Sequence, residues 1–267
     1  MQFNWTPKSL EYHGTKVLLG LRDLLMQKHF AEKRRIKGLS KREVVTQADL
    51  AAEEFVIGYI RKNNISVNLD GEEKRRSKLV SDPQGLWTLD PVDGTYNYFR
   101  GIFPYCSILS MFGSTKPENL GSAVWAGILN HGTGEIITSS QDLATSRRKI
   151  LQGDIEASVV IDLGPNQEAE SYIPYSAILK NSWWRNVGCA GIHFFGIAKG
   201  SIDAYLCPVQ KPEELVAGIH LIERAGGAVV TYEGKRAGKF PYDFDRRYGI
   251  VAAATPELAK QLVDLLK

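Results

Sequence analysis

The sequence predicts an α+β, or layered α/β, fold for these 267 residues. Three observations lead there. Helical and extended segments are mixed without the strict alternation that builds a Rossmann sheet or a barrel. The middle of the chain, from Cys106 to Thr138, is a run of short apolar segments broken by Gly, Pro, Asn and Ser, as in a meander. A composition of 43% hydrophobic and 24% charged residues is ordinary for a chain that buries a substantial core.

The elements follow in order. Pro7 to Lys33 reads as a helix with a Leu-rich face and an early proline. Lys37 to Arg42 is a charged loop, and Val44-Val45-Thr46 a short extended piece. Gln47 to Lys62 is a second helix, with Leu50, Ile57 and Ile60 at core spacing. Ser66 to Leu69 alternates like a strand, and Leu86 to Leu89 is an apolar strand that ends at Asp90. The meander supplies strands at Cys106 to Phe112, Gly121 to Leu129 and Glu135 to Thr138. A second α/β region starts with Ala157 to Ile161 and has helices at Ser171 to Lys180, Ile192 to Lys199 and Pro212 to Ala225. Tyr248 to Ala254 is a strand. Thr255 then caps a final helix that starts at Pro256, with Leu258, Leu262 and Leu265 on one face. The polar stretch from Ser139 to Asp154 is the softest boundary, dividing the chain into halves at 1–150 and 151–267.

Charge and cysteine usage narrow the function. A net charge of +3 is too small to indicate nucleic acid. The basic runs Lys33-Arg34-Arg35, Lys74-Arg75-Arg76 and Arg147-Arg148-Lys149 read as solvated faces, and a mild basic excess suits a small anionic substrate. Three cysteines, Cys106, Cys189 and Cys207, have no paired spacing and fit a reducing compartment. The N-terminus lacks the pattern of a signal peptide, and no apolar stretch approaches the roughly 18 residues of a membrane span. A cytoplasmic protein that binds neither membrane nor nucleic acid is expected.

The run Leu89-Asp90-Pro91-Val92-Asp93-Gly94-Thr95 carries the most chemistry. Asp90 and Asp93 can converge on one hard cation, to which the turn carbonyls add an oxygen. Gly94 and Thr95 offer free N–H groups where a helix can begin, as a phosphate requires. An Asp-Pro turn with an Asp cap explains the same residues without a ligand. Glu72 and Glu73 follow another strand, and carboxylates gathered at one sheet edge repel unless cations neutralise them. Asp49 and Glu213-Glu214 stand in the first turns of their helices, where complementing the helix dipole is explanation enough.

Taken together, these segments resemble the inositol monophosphatase family of magnesium-dependent, lithium-sensitive phosphatases. The matching pieces are Val45-Thr46-Gln47-Ala48-Asp49, Gly71-Glu72-Glu73, Asp90 to Asn97, Gly188-Cys189-Ala190 with Asp203-Ala204-Tyr205, and Glu214-Leu215-Val216-Ala217-Gly218 before Ala225-Gly226-Gly227. The resemblance implies a layered α-β-α-β-α sandwich, commonly a homodimer, whose N-terminal half carries most of the metal ligands. It implies that Glu72, Asp90 and the Val92 carbonyl hold one Mg²⁺, and that Asp90, Asp93 and Glu214 hold a second. Glu72 also touches a third, weaker ion, and Mn²⁺ can substitute. By the same resemblance Thr95 and Asp49 polarise the attacking water with Glu72 close by, and the N–H groups of Gly94 and Thr95 bind phosphate. Asp93, Gly188, Cys189 and Ala190 complete the substrate site.

The sequence departs from the family in two places. Glu213-Glu214 stands where the family has Trp-Asp, which predicts a weakened or displaced second metal site, though not its loss, and a Glu213 that faces solvent or, if the helix is rotated, replaces Glu214 as ligand. Cys207 stands where inositol-selective members carry a Glu, and a thiol is a poor partner for a sugar hydroxyl. Packing is the expected role of Tyr96, Tyr98 and His193, while Lys211, Arg185 and Lys199 are candidate contacts to a second phosphate. The expected activity is hydrolysis of a small phosphorylated polyol or sugar, inositol monophosphate or fructose 1,6-bisphosphate. A 3′-phosphoadenosine 5′-phosphate phosphatase and a non-catalytic binding regulator are the alternatives.

Overall fold

The computed structural model describes residues 5–28, 35–36, 44–45, 47–72, 79–146, 150–151, 154–155, 157–164 and 168–267. Thr46, Glu73, the 37–42 loop, and the basic runs 74–76 and 147–149 lie outside them, as do Lys33 and Arg34. In chain order the helices are α1 (Pro7–Lys28), α2 (Gln47–Lys62), α3 (Thr95–Arg100), α4 (Ser176–Lys180), α5 (Ala190–Ala198), α6 (Pro212–Arg224) and α7 (Pro256–Leu265). The strands of the first half are β1 (Arg35–Ile36), β2 (Val44–Val45), β3 (Val67–Gly71), β4 (Gly85–Asp93), β5 (Cys106–Phe112), β6 (Trp125–Asn130) and β7 (Ile136–Thr138). Those of the second are β8 (Ile150–Leu151), β9 (Asp154–Ile155), β10 (Ser158–Ile161), β11 (Trp183–Arg185), β12 (Ala204–Gln210), β13 (Ala228–Thr231) and β14 (Tyr248–Ala253).

Two five-stranded sheets carry the fold. The first has the order β3-β4-β5-β6-β7, with β3 parallel to β4 and antiparallel pairing beyond. The second has the order β11-β10-β12-β14-β13, parallel across its first three strands. Helices α1 and α2 cover the outer face of the first sheet. Helices α5 and α6 lie between the sheets and touch both, and α7 with α4 covers the far side of the second. The result is the expected α-β-α-β-α sandwich.

Burial on both faces explains why the central strands read as continuous apolar runs. Along β4, Leu86 faces the core between the sheets while Trp87 and Leu89 face α1 and α2. Along β5, Cys106 and Ile108 alternate with Leu109 and Met111 in the same way. On α2 the buried stripe is Ala48, Ala52, Val56 and Ile60, with Leu50 41% exposed. Ile57 and Ile60 are buried as expected, and only Leu50 of the expected face points away, its place in the core taken by Ala48 and Ala52. Other differences are local. The segment 169–175 is a 3₁₀ turn containing Pro174, and α4 begins only at Ser176. A 3₁₀ turn at Leu120–Ser122 precedes β6, which starts at Trp125. Helix α7 starts as its sequence dictates, with Thr255 Oγ1 accepting from Leu258 N–H at 3.1 Å.

The layer between the sheets is thin at one glycine. A Cβ at Gly218 of α6 would lie 2.6 Å from Phe194 Cδ1 of α5. Gly218→Ala is therefore expected to lower unfolding free energy by about 1–3 kcal/mol through overpacking. Chemical denaturation measures it, and an unchanged midpoint would contradict this packing.

Candidate active site

Strand β4 does not end at Asp90. It runs on to Asp93 through a register shift against β5 between those two residues. Pro91 and Val92 form the bulge, which aims both aspartates from one short stretch. Asp90 Oδ1 accepts the Val92 N–H at 3.1 Å, so the first carboxylate braces the turn it belongs to. Thr95 Oγ1 donates to the Val92 carbonyl at 2.9 Å. Gly94 follows at φ 81°, in the left-handed region, and α3 begins at Thr95. A Cβ on Gly94 would also meet Cys189 Cβ at 3.1 Å, so glycine is required twice over.

Opposite the bulge, Ser107 donates to the Pro91 carbonyl at 2.6 Å and lies 2.8 Å from His131 Nε2. With the serine proton on Pro91, the hydrogen-bond pattern assigns a proton to Nε2 of a neutral imidazole. Burial pulls His131 down to about 4. The ring stacks on Tyr105 with centroids 5.0 Å apart. Neither Ser107 nor His131 was singled out from the sequence. The legible signal is a serine on the strand that pairs across from the motif.

The second half supplies the rest. Asp93 Oδ2 accepts the Gly191 N–H at 2.5 Å, in the first turn of α5. Asn97 ties the two halves together, donating to Pro104 O at 2.8 Å and Val187 O at 2.7 Å. Gly188 sits at φ 66° beside it. In the first turn of α6, Glu214 Oε2 accepts from Gln210 Nε2, and Gln210 Oε1 accepts from Tyr205 Oη at 2.8 Å. That relay holds the longer glutamate in place, and Gln210 is a third residue not singled out from the sequence. Ligand oxygens of Asp90, Asp93 and Glu214 lie within 4.8 Å of one another, on residues only 1%, 7% and 6% exposed.

Electrostatics follow from this crowding. Burial, then the charges of Glu72, Asp93 and Glu214, push Asp90 well above the usual carboxylate range. Burial likewise raises Asp93 and Glu214. Lys211 Nζ lies 2.5 Å from Glu72 Oε1 and 3.7 Å from Glu214 Oε1. Burial alone would lower the Lys211 ammonium, but Glu214, Glu72 and Asp90 raise it by more. An all-oxygen donor set with clustered negative charge fits a hard divalent cation such as Mg²⁺.

Asp93, Gly188, Cys189, Ala190, Lys211 and Glu214 all line one cavity of about 480 Å³. Tyr96, Asp162, Tyr205, Cys207 and Val209 line it as well. Asp49 is buried in the first turn of α2, which packs against β4. Three expectations change. Tyr96 is 52% exposed at the cavity while Tyr98 is the packed ring. Glu213 is 1% exposed rather than solvent-facing, because α6 enters the layer between the sheets from its first residue. Its Oε2 has no hydrogen-bond partner, and burial raises its carboxyl. Lys199 pairs with Glu135 at 2.6 Å, and neither it nor Arg185 lines the cavity. His193 is fully buried against Tyr205, at 4.6 Å between ring centroids, and is held neutral by burial at about 4.

A five-layer α/β sandwich with a carboxylate centre where the two halves meet is the architecture of a metal-assisted phosphatase. The chain belongs to the inositol monophosphatase family, whose model matches residues 16–267. It is 27% identical over 238 residues to a fructose-1,6-bisphosphatase/inositol-1-monophosphatase of Archaeoglobus fulgidus, covering 86% of this chain and 87% of that one. The fold matches the extragenic suppressor protein SuhB of Bartonella henselae with a TM-score of 0.81 at 20% identity, over 97% and 98% of the two chains. It also matches an IMPase/NADP phosphatase solved with Mg²⁺ and phosphate, with a TM-score of 0.77 at 16% identity over 97% and 95%.

Two predictions follow from the bulge. Ser107→Ala removes a buried donor and leaves His131 without its partner, so a loss of about 1–3 kcal/mol is expected in denaturant titration, with weaker Mg²⁺ binding by calorimetry. Wild-type behaviour in both would show that the bulge holds itself. His131 is lowered from 6.5 to about 4, so its contribution is present above pH 6.5 and is lost as pH falls toward 4. The stability gap between wild type and His131→Phe should therefore narrow across that window. A gap independent of pH would contradict the assignment.

Proposed function

We propose that the protein is a Mg²⁺-dependent phosphatase that hydrolyses the monophosphate ester of a small polyol or sugar. The observation that carries this reading is the Asp90-Asp93-Glu214 cluster, of which Asp93 and Glu214 line the cavity. Glu72, Asp90 and the Val92 carbonyl would hold one ion, and Asp90, Asp93 and Glu214 a second. When bound, the ions neutralise the dianionic ester and lower the barrier to attack by water.

The chain's own residues do the rest. Thr95 spends its proton on the Val92 carbonyl, which leaves its oxygen lone pairs to accept from a water. Asp49 and Glu72 are read as acceptors for that water's protons. The first N–H groups of a helix have no partner within it, so Gly94 and Thr95 can donate to phosphate oxygens. Attack in line by water needs no phosphoenzyme.

The cavity supports a monophosphate over a bisphosphate. Among the described residues that line it, Lys211 is the one cation, and two carboxylates already engage it. A second phosphate would meet Asp162, Tyr96 and Cys207 instead. Cys207, raised to about 12 by burial, is a neutral thiol there. Tyr205 and Gln210, bonded to each other, and Asn186 supply polar contacts for hydroxyls.

Phosphate release with Mg²⁺ tests the reading, comparing inositol 1-phosphate with fructose 1,6-bisphosphate. Inositol phosphate should be turned over faster, and chelation of metal should abolish both rates. Faster turnover of the bisphosphate would overturn the substrate assignment, and no release from either would overturn the phosphatase. Thr95→Ala should cut kcat by about 10²-fold or more while leaving the circular dichroism spectrum unchanged. An unchanged kcat would remove Thr95 from the mechanism.

A further inference from the structure

Asp93 presents the same oxygen to two thiols. Its Oδ2 lies 3.4 Å from Cys106 Sγ and 3.2 Å from Cys189 Sγ, and the sulfurs are 3.5 Å apart. The three side chains come from the end of β4, the start of β5 and the N-cap of α5. Helix α5 reaches the sulfurs through a glycine, since a Cβ on Gly191 would lie 2.5 Å from Cys106 Sγ.

The triangle has the dimensions of a metal site. With metal–sulfur bonds of about 2.3 Å and metal–oxygen bonds of about 2.0–2.2 Å, a tetrahedral ion separates its ligands by roughly 3.5–3.8 Å. Each observed side falls within about 0.4 Å of that. Asp93 and Cys189 both line the cavity, which gives an ion a route in and water as a fourth ligand. Mg²⁺ takes oxygen ligands and leaves thiolates to softer ions. The two centres therefore sort cations by softness and share Asp93.

We propose that Asp93, Cys106 and Cys189 form an inhibitory site for one thiophilic divalent cation of the Zn²⁺ or Cd²⁺ class, which excludes a hard cation from Asp93. Inhibition rests on the phosphatase reading above; binding does not. As each metal–sulfur bond forms, the thiol gives its proton to solvent, and no atom changes oxidation state. Cys207 takes no part.

The test is a titration of Cd²⁺ into the reduced, metal-free full chain, read by thiolate-to-cadmium charge-transfer absorption. One Cd²⁺ per chain is expected. The band should be lost in Cys106→Ser and in Cys189→Ser, persist in Cys207→Ser, and need at least tenfold more Cd²⁺ in saturating Mg²⁺. Absence of the band in the folded wild type, or its persistence in either of the first two variants, would overturn the site. A Mg²⁺ concentration without effect would overturn the shared aspartate. The absorption needs no substrate, so a chain that binds Cd²⁺ but releases no phosphate refutes only the phosphatase reading. An active phosphatase without the band refutes only this one.

Discussion

Mutual repulsion among buried carboxylates is the constraint around which this structure is arranged. Asp90, Asp93 and Glu214 bring ligand oxygens within 4.8 Å of one another on buried side chains. Like charges so placed raise one another's proton affinity and cost folding free energy unless neutralised. The fold supplies partial compensation from several directions. Asp90 takes the Val92 N–H, Asp93 takes Gly191 at the start of α5, and Glu214 takes Gln210. Lys211 brings a full positive charge to Glu72 and Glu214. Helices α5 and α6 both begin at this point, with the positive ends of their dipoles toward the cluster. These devices hold the carboxylates in position, which is what a site for hard cations requires.

Much of this was legible in the sequence, for identifiable reasons. Strand–turn–helix punctuation is local chemistry, so α2, β5, α6 and α7 fall within a residue or so of their expected bounds. Asp90 and Asp93 stood out because charged residues at the end of an apolar run need a reason, and Glu72 because it follows another strand, whereas Glu214 entered only through the family resemblance. What stayed hidden depends on partners distant in the chain. Ser107 and His131 support Pro91 across strand pairing, and Asn97 reaches a carbonyl 90 residues away. The exposure of Leu50 and the burial of Glu213 follow from how helices rotate and enter layers, which periodicity alone does not fix. Strand β11 presents three exposed residues at a sheet edge and has no apolar signature to read.

The two departures from the family pattern are accommodated differently. At position 214 the extra methylene is absorbed by the Tyr205-Gln210 relay, which sets the carboxylate beside Asp90 and Asp93. At position 213 a carboxylate occupies a buried place where an aromatic ring is usual, with one oxygen unpartnered. This places a further carboxyl, raised by burial, next to an already acidic centre. Cys207 makes the cavity less polar at a point where a carboxylate could have met hydroxyls. Beside the acidic cluster the cavity is lined by the aromatic rings of Tyr96 and Tyr205, the thiol of Cys207 and the carboxylate of Asp162.

Thermal unfolding of wild type and Asp90→Asn, each with and without Mg²⁺, tests the central claim most directly. Asparagine keeps the shape and can still accept the Val92 N–H, but it removes one of the crowded charges. If repulsion stored in this cluster is what Mg²⁺ relieves, the variant melts higher than wild type without metal. Wild type should then gain from Mg²⁺, by about 2.7 kcal/mol at a hundred times Kd, and the variant little or nothing. A variant that melts lower without metal and gains from Mg²⁺ as wild type does would contradict the account.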